Sequence, residues 1–190
     1  MIPYTDDSAH VEDDFCTERR LRETIAFIRR GDIRGMVLDV GLPNYVGREI
    51  KKHFNVAIFN TGYGIDFNRW WPDGTSKWNT VLCLEVFEHL MNPALFLERL
   101  SLQMEPGGIL YLSTPVHNRF GFMFNETCHF AEYRVEAVKT CLEYAGFRVT
   151  DTHLFKSIPF WQGMKHGGGL FRTALRVSSQ YTQIHRAIKT

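Results

Sequence analysis

Apolar positions in this chain fall into two patterns that take turns: short unbroken runs, and stretches where they recur every three or four residues. Runs of the first kind predict buried strands and stretches of the second predict amphipathic helices. The clearest succession lies in residues 80–115, TVLCLEVFEHLMNPALFLERLSLQMEPGGILYLSTP. Residues 80–86 are mostly apolar and too few for a helix, as in a strand covered on both faces, and they end among Glu85, Glu88 and His89. Asn92 offers a side-chain oxygen as a helix cap, Pro93 suits the first helical position, and Phe96, Leu97, Leu100 and Met104 follow at helical spacing. Pro106-Gly107-Gly108 ends that helix, and residues 109–113 read as the next strand. Strand, crossover helix and strand form a right-handed βαβ unit, which binds ligands outside the carboxyl ends of its strands. Glu85, Glu88, His89 and Ser113-Thr114-Pro115 are therefore predicted to line a site.

The same alternation extends in both directions. A helix is predicted over residues 18–30, with Leu21, Ile25 and Ile28 on one face and Gly31 past its end, packed on the sheet edge. Residues 36–41 read as a first strand, 47–54 as a short helix and 56–60 as a second strand. Residues 61–79 hold Pro72-Asp73-Gly74 and three tryptophans and read as a loop-rich connection, too short for a further helix and strand. A helix is expected over residues 134–145, with Val135, Val138, Leu142 and Ala145 inward and Gly146 as its stop, then a strand over 147–155. Gly167-Gly168-Gly169 marks a hinge or turn, and residues 181–189 are expected to return as a last strand antiparallel to 147–155. Residues 1–16 read as a flexible lead-in and 17–190 as one α/β domain with a mainly parallel sheet.

Charge and cysteine usage narrow the function classes. Lys plus Arg number 22 against 21 for Asp plus Glu, so extended nucleic-acid binding is not expected. Cys16, Cys83, Cys128 and Cys141 form no CxxC pair, which argues against a zinc site or a disulfide framework and for a reducing compartment. The polar, acidic first residues do not read as a signal peptide, and no apolar stretch approaches the ~20 residues of a membrane span. A cytoplasmic protein is expected.

Several of these pieces, in this order, resemble the class I S-adenosylmethionine-dependent methyltransferases, in particular the group whose fourth strand and following helix read EVxEHLxNP, then PGG and STP. The matching residues are Val37-Leu38-Asp39-Val40-Gly41, Glu85-Val86-Phe87-Glu88-His89-Leu90, Asn92-Pro93, Pro106-Gly107-Gly108, Ser113-Thr114-Pro115 and Ala145-Gly146-Phe147, spread over residues 37–149. The resemblance implies a Rossmann-like doubly wound, mainly parallel sheet of six to seven strands with a reversed last strand. It also implies S-adenosylmethionine as cofactor, held by Asp39, Gly41, Asn60, Asp66 and Glu85, and a small-molecule or sugar-like acceptor methylated on oxygen. Gly41 fits the first glycine of the family's GxGxG turn, whereas Pro43 and Tyr45 stand in its second and third places. Asn60 stands where a ribose-binding acid is usual, and Asp66 is the nearest acid beyond it. The alternative reading is a noncatalytic domain that keeps the fold and acts as a binding or assembly partner.

Glu85, Glu88 and His89 lie within five residues, and with His129 they combine carboxylate oxygens and imidazoles, a ligand set suited to Mg or Mn. This set resembles the metal site of the ubiquinone-pathway O-methyltransferases and of the small-RNA 3′-end 2′-O-methyltransferases. The other reading is that these groups only cap and hydrogen-bond, in which case His89 or His129 is the candidate general base. Trp70, Trp71, Phe120, Phe122 and Phe124 either seal the core edge or line a substrate pocket, and Lys165 and His166 precede the triple glycine in a solvent loop or a lid.

Overall fold

A computed structural model of the chain describes residues 15–62, 67, 77–116, 131–156 and 181–190. Helix α1 (Phe15–Phe27) leads through a short 3-10 turn (Arg30–Asp32) into β1 (Val37–Asp39), α2 (Tyr45–Phe54) and β2 (Ile58–Asn60). Then come β3 (Trp78–Leu84), a second 3-10 turn (Phe87–His89), α3 (Pro93–Leu102), β4 (Met104–Pro115), α4 (Val135–Tyr144), β5 (Phe147–Lys156) and β6 (Tyr181–Lys189). The strands form one six-stranded sheet in the order β2-β1-β3-β4-β6-β5. Strands β2, β1, β3 and β4 pair in parallel, and β6 inserts antiparallel between β4 and β5. The expected return of 181–189 is thus observed, and the last strand is reversed as expected.

Alternation along the strands produces two apolar layers, as period-2 geometry requires. Leu38, Val81, Cys83, Leu110 and Leu112 face Phe96, Leu97 and Leu100 of α3 and Val138 and Leu142 of α4. Val37, Leu82, Ile109 and Tyr111 face the other way, against Leu21 of α1, Ile28 just past its end and Ile50 of α2. The sheet is therefore doubly wound, with each fully buried leucine or phenylalanine stabilising it by roughly 1.5–3 kcal/mol.

Two local expectations are corrected. Helix α1 does not sit on the sheet edge but crosses a sheet face, from α2 towards β5, where Phe27 stacks on His153. A polar cluster fixes its far end: Asp32 accepts from the Tyr111 hydroxyl at 2.5 Å and from Arg186 Nε at 2.6 Å, while Arg29 donates to Asp151 at 2.8 Å. Burial acts upward on the Asp32 carboxyl, but the bonds from Arg186 and Tyr111 outweigh it and hold it below its usual value. Second, Met104 already pairs with Trp78, so Pro106-Gly107-Gly108 forms an irregularity inside β4 instead of separating helix from strand. A side chain at Gly108 would come within 2.8 Å of the Glu105 carbonyl, which explains the glycine.

Caps set the remaining boundaries. Asn44 accepts from Gly47 N at 2.9 Å, so α2 starts at Tyr45, two residues earlier than its apolar pattern suggests. Asn92 accepts from Leu95 N at 3.1 Å with Pro93 behind it, as read from the sequence. No helix among the described residues is long and apolar enough to cross a membrane.

Candidate functional site

The parallel strands β1, β2 and β3 deliver their carboxyl ends side by side, and the register pairs Asp39 directly with Asn60. Asn60 Nδ2 donates to Asp39 Oδ2 at 3.1 Å. The Asp39 side chain is only 3% exposed, and Oδ1 accepts no hydrogen bond among the described residues. Burial pushes this carboxyl up to about 7, and the single neutral donor from Asn60 only partly offsets that. Helix α2 presses on the same group: a Cβ on Gly47 would lie 2.5 Å from Asp39 Oδ2. Gly47 is not legible as a site residue from motifs, although a glycine at the third position of a helix beside a strand-end acid is a signal of close approach.

The β1–α2 turn answers what the proline and tyrosine do to the crevice. Gly41 has φ +121°, a conformation open to glycine, and among the described residues other than its two chain neighbours no heavy atom lies within 4 Å of where its side chain would be. Pro43 is exposed, and Tyr45 packs against the apolar layer shared by α1, α2 and the sheet. Thr61, directly after β2, ties the turn down: its hydroxyl accepts from Gly41 N at 2.8 Å and donates to Gly41 O at 3.1 Å.

At the tip of β3, Glu85 takes a left-handed backbone with φ +57°, which costs a residue with a side chain on the order of 1–2 kcal/mol. Ser113 holds it there: Glu85 N donates to Ser113 O at 3.1 Å, and Ser113 Oγ donates to Glu85 Oε1 at 2.7 Å. The other oxygen, Oε2, accepts from Arg20 of α1 at 3.1 Å. Arg20 lies in a helix whose sequence signal is its apolar face alone, and nothing local links it to Glu85, 65 residues away. Glu88, 1% exposed, accepts from the Thr114 hydroxyl at 3.1 Å, and its Oε1 lies 3.9 Å from Nε2 of the half-exposed His89. Burial and then the acids Glu88, Asp39 and Glu85 push the Cys83 thiol well above its usual value, and the parallel register of β1 and β3 places Asp39 and Glu85 at the same end of the sheet.

Two of the described donor groups considered for a metal ion already have partners within the chain. Both Glu85 oxygens are engaged by Ser113 and Arg20, and Glu88 is bonded to Thr114. Among the described residues no group of three or more His, Cys, Asp or Glu is placed to hold one. His129 and Asp66 lie outside the described residues, as do Trp70, Trp71, Phe120, Phe122, Phe124, Lys165 and His166.

A doubly wound parallel sheet with one reversed strand next to its edge, and an acid at the tip of the first strand, define the class I S-adenosylmethionine-dependent methyltransferase fold. Residues 17–152 match the family model described as methyltransferase domain, and the chain belongs to that family. No curated protein matches the chain in sequence. Among solved structures, a chain from the Haloferax volcanii complex of the Trm112 methyltransferase activator is similar at a TM-score of 0.67 and 14% identity, covering 95% of this chain and 92% of its own. An S-adenosylmethionine-dependent methyltransferase from Mesorhizobium loti gives 0.62 at 11% identity, with 93% and 99% covered. The (4+2)-cyclase SpnF gives 0.59 at 15%, with 90% and 80% covered. At such identities the likeness shows the fold, and a cyclase among the neighbours illustrates that this fold does not dictate one reaction. Family membership implies S-adenosylmethionine as the cofactor.

Proposed function

We propose that the chain is an active S-adenosylmethionine-dependent methyltransferase that methylates an oxygen of a small or sugar-like acceptor. The observation that supports this most is Asp39, a largely buried carboxylate whose hydrogen bonding among the described residues is the one neutral donor from Asn60. Desolvation of that carboxylate is only partly offset by Asn60, and a ligand bringing hydroxyl or ammonium donors offsets more of it. Asp39 and Asn60 are the residues to bind the cofactor's ribose or amine, with the Gly41 backbone alongside. The space free of described atoms where a Gly41 side chain would be, and the packing of Tyr45 against the apolar layer shared by α1, α2 and the sheet, support room for it.

The cofactor supplies a methyl group already activated by its sulfonium, so the chain has mainly to align the acceptor and exclude water. His89 is suited to take the hydroxyl proton at Nε2, with Glu88 3.9 Å away to stabilise the imidazolium and Thr114 to anchor Glu88. Asp39, once ionised, favours a positively charged cofactor over its neutral demethylated product. Calorimetric titration with S-adenosylmethionine and with S-adenosylhomocysteine tests the reading. Saturable binding of both is expected, tighter for the charged one. No heat from either at millimolar concentration would overturn it and leave a methyltransferase fold used as a binding scaffold.

A further inference from the structure

With two of three turn glycines replaced by Pro43 and Tyr45, the backbone approach those glycines ordinarily permit falls to the Gly41 peptide alone. That peptide is held at both of its polar atoms by one side chain: Thr61 Oγ1 lies 2.8 Å from Gly41 N and 3.1 Å from Gly41 O, across 20 residues of sequence. One hydroxyl that both accepts and donates to the same residue fixes that residue's rotation about the strand end, which a single bond does not. On the far side of the turn, Asn44 Nδ2 donates to Leu42 O at 3.2 Å while its Oδ1 caps α2. On the near side, Val40 N donates to Leu82 O at 2.8 Å and continues the sheet. Gly41 is thus the free joint between two anchored ends, and Thr61 is the group that locks it.

We propose that Thr61 is a positioning residue for cofactor binding, its hydroxyl bridging the Gly41 N–H and C=O so that the one remaining turn glycine keeps the crevice open. The proposal rests on the donor-binding reading above. The geometry explains how a turn without the usual glycines serves that reading: conformational freedom is given up at two positions and the third is fixed by a side chain from the next strand. A threonine placed one residue after the Asn60 that bonds Asp39 also couples the two halves of the crevice, because the end of β2 then presents both contacts from consecutive residues.

The test compares Thr61→Val, which keeps shape and removes the hydroxyl, with Thr61→Ser, which restores it, by titration of each full chain with S-adenosylhomocysteine alongside thermal unfolding. Loss of the bridge is expected to weaken binding about tenfold, with Thr61→Ser within about twofold of wild type. A role in stability alone would lower the melting temperature of Thr61→Val without separating the two variants in affinity, and that result overturns the proposal. Wild-type binding with an unchanged Thr61→Val, or a Thr61→Ser as weak as Thr61→Val, also overturns it while leaving donor binding intact. A wild-type chain that binds nothing overturns both. If Thr61→Val does not fold, Gly41→Ala reads the same joint, since an added methyl meets no atom of the described residues beyond its chain neighbours but disfavours φ +121°; unchanged binding in it likewise overturns the proposal.

Discussion

Replacing Asp39 by asparagine should stabilise the chain at alkaline pH while destroying its cofactor site. The substituted amide keeps the bond from Asn60, since its own carbonyl oxygen still accepts, and it removes the ionisation. In the wild type the folded-state value of about 7 stands above the unfolded value of 3.8. The folded chain therefore holds the proton more tightly than the unfolded one. The stability this gives is fully present below pH 3.8, is lost progressively as pH rises, and is gone above pH 7. At about 1.36 kcal/mol per unit the full difference is roughly 4 kcal/mol, of which about 3 kcal/mol falls between pH 5 and pH 8. Urea unfolding of wild type and Asp39→Asn at those two pH values isolates the group, because every other titration is common to both chains. The account requires the advantage of Asp39→Asn to grow by about 3 kcal/mol from pH 5 to pH 8, with S-adenosylhomocysteine binding abolished. An advantage equal at both pH values within about 0.5 kcal/mol would refute the reasoning that Asp39 is a buried acid poorly served by its own chain.

The same residue links binding to protons: cofactor donors favour the carboxylate, so binding should release close to one proton at pH 6 and almost none at pH 8.5, with affinity rising between them. Titrations in two buffers of different ionisation enthalpy measure this, and a binding heat independent of buffer at pH 6 contradicts it. Gly47→Ala should lower stability by about 1–3 kcal/mol and weaken cofactor binding, because its methyl would stand 2.5 Å from Asp39 Oδ2; thermal unfolding and titration read both effects. Once an acceptor is found, His89→Ala should lower kcat by about 10²–10⁴-fold with cofactor affinity unchanged, and a kcat within about twofold of wild type excludes His89 as the base.

Much of the scaffold is legible in the sequence because its signals are local. The Asn92 cap and Pro93 place the start of α3, the run after Thr80 places β3 within two residues, and the tail strand Tyr181–Lys189 has the boundaries its pattern predicts, whereas α3 ends at Leu102 and Met104, read as helical, opens β4. Periodicity states which face of a helix is apolar but not what covers it, so the sequence suggests a sheet edge for α1 when the helix crosses a face. The apolar pattern also does not weigh the Asn44 cap, which moves the start of α2. Of the candidate residues, Asp39, Gly41, Asn60, Glu85, Glu88 and His89 do gather at the strand tips, because parallel topology brings every carboxyl end to one side. What joins them is hidden, since Thr61 to Gly41 and Arg20 to Glu85 are contacts across 20 and 65 residues. The Glu-x-x-Glu-His spacing likewise does not reveal that a guanidinium from α1 reaches one Glu85 oxygen.

Crystals grown with S-adenosylhomocysteine offer the most direct measurement. Density for the nucleoside over the carboxyl ends of β1 and β2, with a ribose hydroxyl or the amine within hydrogen-bond reach of Asp39 Oδ1 and Tyr45 still packed against the apolar layer shared by α1, α2 and the sheet, is the predicted result. A saturating soak that leaves this crevice without nucleoside density, or finds the Tyr45 ring lying in it, would contradict the account.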